Sequence, residues 1–105
     1  MSDIAIEIDK DKLRDFCRRW QITEFALFGS VVRPEEFRED SDVDVLVRFD
    51  RDARWSLYDF MDARDELAEI FGRRVDLAER SGIEQSRNYL RREEILSSAV
   101  LLDVA

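Results

Sequence analysis

Phe28-Gly29-Ser30, followed by Asp42-Val43-Asp44-Val45-Leu46-Val47, is the stretch whose reading decides the fold. Glu24-Phe25-Ala26-Leu27-Phe28 is an apolar and aromatic run that stops at a glycine, the pattern of a buried strand closed by a tight turn. Val43, Val45, Val47 and Phe49 recur at every second position, which predicts a second strand with one face in the core. Asp42 and Asp44 fall on its other face with backbones about 6.5–7 Å apart, within reach of one cation.

Outward from these two strands, residues 73–78 alternate in the same way. Val75 and Leu77 point one way and Asp76 the other. Three such strands in one sheet bring Asp76 toward Asp42 and Asp44. Upstream, Leu13, Phe16, Cys17 and Trp20 have the spacing of one helical face, so a helix is predicted over 10–20 with Asp9 as its cap. Ser56 with Asp59, and Gly72 at the far end, bracket a second helix over 57–71. Its expected buried stripe is Leu57, Phe60, Met61, Leu67, Ala68 and Phe71. Ser81 and Glu84 repeat the capping pattern ahead of a helical stretch over 83–96, and residues 99–102 fit a strand or a last turn equally. Trp20, Trp55, Phe60 and Phe71 read as core. The Arg73-Arg74 and Arg91-Arg92 pairs read as solvated faces. The expected fold class is α+β, a small mixed β-sheet flanked by helices, in one domain over residues 1–105.

Bulk composition narrows the chemistry. A chain of 105 residues, 45% hydrophobic and 40% charged, suits one compact domain without room for a separate substrate-binding domain. A formal charge of −8 argues against broad contact with a nucleic-acid backbone and favours a basic partner. The single cysteine, Cys17, excludes an internal disulfide; with no signal-peptide layout and no long apolar run, the expected address is the cytoplasm, with no membrane contact. The chain has no histidine, so imidazole triads are excluded and acid–base and metal work falls to carboxylates.

Three ionised carboxylates brought together repel one another by about 1 kcal/mol per pair at 4 Å in water, and by about 4 kcal/mol at an effective dielectric constant of 20. A bound cation removes the objection. An all-oxygen set selects a hard ion, Mg²⁺ with Mn²⁺ as the alternative, and Mg²⁺ usually completes its shell with substrate phosphates. Gly29 lets a phosphate approach the backbone, Ser30 offers a hydroxyl, and Arg33 can add a charge-assisted contact. Two such ions would activate the attacking oxygen and stabilise a departing pyrophosphate in an in-line displacement, with Asp76 placed to take the attacking hydroxyl's proton.

Phe28-Gly29-Ser30, Asp42-Val43-Asp44 and Val75-Asp76-Leu77 together resemble the signature of the DNA polymerase β-type nucleotidyltransferase superfamily, over nearly the whole chain. The chain is most similar in shape to its minimal nucleotidyltransferase (MNT) group, many of whose members are encoded beside a HEPN-domain partner as antitoxin and toxin. The resemblance implies that Asp42 and Asp44 bind both metals, that Asp76 binds one and assists deprotonation, and that Gly29-Ser30 binds the triphosphate of ATP. Some members of that group transfer AMP to a tyrosine of the HEPN ribonuclease, which is the activity the resemblance implies; a homodimer and a hetero-oligomer are both open as assembled forms. Two other functions fit the same residues: an antitoxin that neutralises by contact alone, and a small-molecule nucleotidyltransferase of the aminoglycoside-modifying type. The segment Val31 to Ser41 is one residue longer than the family's usual spacing, which bears mainly on the phosphate grip and on Arg33.

Overall fold

A computed structural model describes residues 5–104. Helix α1, Lys10–Arg19, starts where the Asp9 carboxylate accepts from the Lys12 amide at 3.2 Å, and it buries Leu13, Phe16 and Cys17. Strand β1, Ile22–Phe28, has buried side chains on both faces of its second half, so its apolar run does not alternate. A 3-10 turn, Gly29–Val32, and a second, Pro34–Glu36, carry the chain to β2, Val43–Phe49. Helix α2, Leu57–Phe71, has the reciprocal Ser56/Asp59 cap and ends at Gly72 in the left-handed region, φ 67°. Strand β3, Val75–Glu79, leads into a short α3, Arg80–Glu84; α4, Tyr89–Ser98, and β4, Val100–Leu102, complete the chain.

The four strands form one mixed sheet in the order β3-β2-β1-β4, with β2 and β3 parallel and the other pairs antiparallel. The connection from β2 to β3 is α2, as a parallel pair requires. One face packs on α1 and α2 through Phe25, Leu27, Val43, Val45, Val47, Val75 and Leu77. The other face is a smaller cluster of Ala26, Phe28, Leu46 and Ile95, the last from α4. The aspartates of β2 and β3 share this second face.

Four expectations are corrected. The stretch over 83–96 is two helices, because the Asn88 side chain caps a new start by accepting from the Arg91 amide at 3.2 Å. In α2, Leu57 (72% exposed) and Met61 stand in solvent, while the buried residues are Ala63 and Leu67, with Phe60, Ile70 and Phe71 against them. Trp55 is also exposed: its ring meets Trp20 edge-on with 5.0 Å between centroids, and its Nε1 donates to the Trp20 carbonyl at 2.9 Å. Arg73 is not a solvated face residue. It donates to the carbonyls of Arg38, Glu39 and Ser41 at 3.1, 2.9 and 3.2 Å and stacks over Phe37. One guanidinium therefore fastens the last part of the long β1–β2 connection to the foot of β3. Residues 100–102 are a strand, pairing with Phe25–Leu27. No helix of the described residues is long and apolar enough to cross a membrane.

Candidate active site

The strand register builds the site. Phe28 is the Cα partner of Asp44, and Asp44 is the Cα partner of Asp76, so three adjacent strands place these residues in one row. Neighbouring strands lie about 4.7–4.9 Å apart, which holds the two carboxylates close by backbone pairing alone. Asp42 precedes the strand. The first ladder bond beyond it runs from the Val43 amide to the Arg74 carbonyl at 2.9 Å, and the Asp42 carboxylate faces Arg74 Nε at 3.8 Å.

Gly29 ends β1 at φ +73°, in the left-handed region that favours glycine, and any side chain there would run into the Asp44 carboxylate. The glycine therefore gives the chain its turn and gives Asp44 its space. Together with Phe28, Arg33, Asp76, Arg91, Glu94, Ile95 and Ser98, these two residues line an open cavity of about 210 Å³ between the sheet and α4. Pockets for drug-sized ligands run from about 300 to 1,000 Å³, so this volume fits a phosphate chain better than a whole nucleotide. A wider groove of about 940 Å³ lies at the opposite end of the sheet among Thr23, Phe49, Trp55, Phe60 and Glu79, and it contains none of the expected site residues.

Gly29, Arg33, Asp44 and Asp76 thus converge on one cavity, while Asp42 and Ser30 are not among the residues that line it. Arg33 is paired with Glu36 one turn along. Among the described residues, no group of three or more histidine, cysteine, aspartate or glutamate side chains is placed to hold a metal ion. Arg91 was overlooked in the sequence. The signal was its position four residues before Ile95, which puts this exposed arginine on the same side of α4 as the residue that packs on the sheet.

Asp44 carries the electrostatic strain. Burial, then the charges of Asp76 and Asp42, push its carboxyl up to about 6 against the pull of Arg91 and Arg33. Such a group gains most from a cation, and the donors here are hard carboxylate oxygens, so the residues fit divalent metal ions. Cys17 is the reverse case: burial alone pushes its thiol up to about 12, which makes it inert.

Comparison with known proteins bears on this geometry. Residues 10–102 match the family model described as a nucleotidyltransferase domain. Over 74 residues the chain is 40% identical to protein adenylyltransferase MntA of Thermococcus cleftensis, covering 70% of this chain and 69% of that one. A solved structure described as a minimal nucleotidyltransferase is 33% identical, with a TM-score of 0.67, over 89% of this chain and 88% of that one. A toxin–antitoxin structure with AMP-PNP has the same fold at 18% identity, with a TM-score of 0.65, over 90% of this chain and 72% of that one. The α+β sheet, its row of aspartates and these matches make the chain a member of the nucleotidyltransferase family, with the minimal form of its fold.

Proposed function

We propose that this protein is an antitoxin that transfers AMP from ATP to a tyrosine hydroxyl of a HEPN-class toxin. The observation that carries the reading is the register of Asp44 with Asp76 beside a glycine whose missing side chain leaves the Asp44 carboxylate its place. In this reading Asp42, Asp44 and Asp76 hold two divalent ions, Mg²⁺ or Mn²⁺. When bound, such ions would neutralise the charge of the triphosphate and of the leaving pyrophosphate. The turn at Gly29-Ser30 binds the phosphates through backbone N–H groups and the Ser30 hydroxyl. Asp76, the exposed member of the pair, accepts the proton as the tyrosine oxygen bonds to the α-phosphorus and the bond to the β-phosphate oxygen breaks. Support for a protein acceptor comes from the small cavity and from the adenylyltransferase relative.

The test is incubation with labelled ATP, Mg²⁺ and a HEPN protein encoded beside this chain. Label should appear on a tyrosine of that protein and vanish with Asp44→Asn or with EDTA. Undiminished transfer by Asp44→Asn would sink the reading. Neutralisation by contact alone is the second reading, favoured by the charge of −8, which suits a basic partner. A double variant, Asp42→Ala with Asp44→Ala, that still silences the toxin would establish it.

A further inference from the structure

Two arginines line the cavity, and their situations differ. Arg33 is drawn to Glu36, three residues further along the same turn. Arg91 is different: its backbone amide is used by the Asn88 cap, but among the described residues no hydrogen bond or ion pair engages its guanidinium. Its placement follows from α4. Ile95 is the side chain by which α4 packs on Ala26, Phe28 and Leu46, and Arg91 lies one turn before it on the same face. Side chains on a helix lean toward its N-terminus, so Arg91 reaches beyond the apolar contact to the polar row of Asp44 and Asp76.

We infer that Arg91 is the residue that grips the β- and γ-phosphates of the nucleotide, and that Arg33 serves to brace the turn. The inference rests on the nucleotide-transfer reading above and assigns a function to a residue outside the glycine–serine and aspartate motifs. A guanidinium presents its donors in a planar fork that matches phosphate oxygens, and Arg91, which interacts with Asp44 only through space, gives up no hydrogen bond or close ion pair when the ligand arrives. The opposite wall of the site is acidic. A polyanion entering between Gly29 and α4 therefore meets a guanidinium that no hydrogen bond or close ion pair holds, and Glu94, one turn beyond Arg91 on the same lining, repels the chain back toward it.

The experiment measures equilibrium binding of ATP and of AMP to the full chain in Mg²⁺, by displacement of a fluorescent ATP analogue. Loss of one charge-assisted contact corresponds to about 10- to 100-fold in affinity. Arg91→Ala and Arg91→Gln should both weaken ATP by that factor while leaving AMP within about threefold of the unmodified protein. Arg91→Lys should recover part of the loss, and an unchanged melting temperature separates the effect from unfolding. The assignment is overturned if ATP binds the Arg91 variants as tightly as before, if AMP weakens in step with ATP, or if Arg33→Ala rather than Arg91→Ala lowers the ATP-to-AMP ratio. Failure of the unmodified protein to bind ATP at all would instead remove the nucleotide-transfer reading, and the assignment with it.

Discussion

A methyl group at Gly29 would need the space that the Asp44 carboxylate occupies, at a φ of +73°. The strained backbone costs about 1–2 kcal/mol for a residue with a Cβ. The clash is with the end of a side chain, so Asp44 can swing aside and the fold survives. Gly29→Ala should therefore lower the melting temperature by about 5–10 °C, yet reduce AMP transfer about a hundredfold, the scale set by an ångström of misplacement. Equal activity in the two proteins would refute this account of the glycine. Asp44 itself gives a pH prediction. Its folded-state pKa, about 6, lies above its ordinary 3.8, so the native protein holds this proton more tightly than the unfolded chain does. The stability it contributes is fully present below the ordinary value and is lost as pH rises through about 6. In EDTA, Asp44→Asn should melt higher than the unmodified protein at pH 7.5, and the gap should close near pH 4. Added Mg²⁺ should raise the melting temperature of the unmodified protein and leave Asp44→Asn unmoved. A gap that widened on acidification would contradict the assignment.

At the level of elements, the last part of the β1–β2 connection has short turns of its own, and Arg73 at the foot of β3 ties it to the sheet. Arg73→Ala should cost about 1–3 kcal/mol, the range for charged hydrogen bonds. It should also speed hydrogen exchange at residues 38–43. Arg74→Ala, whose side chain is 89% exposed, should change neither. If the two variants behave alike, the connection is anchored some other way. Arg73 also marks where sequence reading reached its limit. Strand alternation at Val43–Phe49 and Val75–Leu77, the Asp9 and Ser56 caps and the Gly72 stop were all legible, because each is a local pattern that the fold obeys. The engagement of Arg73 with carbonyls more than thirty residues away was not. The α2 stripe was misread for a related reason. Leu57 and Met61 fit a helical period, but Ala63, Leu67 and Ile70 fit another a fraction of a turn away, and only the position of the sheet selects between them. Asn88 was missed because Ser81, which resembles a cap, lies inside α3, and reading it as the start of one long helix hid the break before α4. At the site, the aspartates were legible through their period of two, whereas Arg91 depended on knowing which face of α4 packs down.

For the whole molecule, the decisive quantity is charge. Seventeen lysines and arginines against 25 aspartates and glutamates leave the protein at −8, and the nucleotide of the proposed reaction is also an anion. Attraction therefore comes only from the local cations and from metal ions brought with the nucleotide, while the long-range field opposes the encounter. Screening separates the two. The Debye length falls from about 30 Å at 0.01 M ionic strength to about 8 Å at 0.15 M, so salt removes repulsion from the distant surface before it weakens contacts inside the cavity. The association rate of Mg²⁺-ATP should accordingly rise as KCl is added from 10 to about 150 mM, the reverse of what a basic nucleotide-binding surface shows. Stopped-flow mixing with a fluorescent ATP analogue measures this directly. A basic protein partner should respond in the opposite sense, associating more slowly over the same range because the field that repels the nucleotide attracts the partner. An ATP on-rate that falls with salt would mean that the arginines at the cavity, rather than the acidic body of the molecule, govern how the nucleotide arrives.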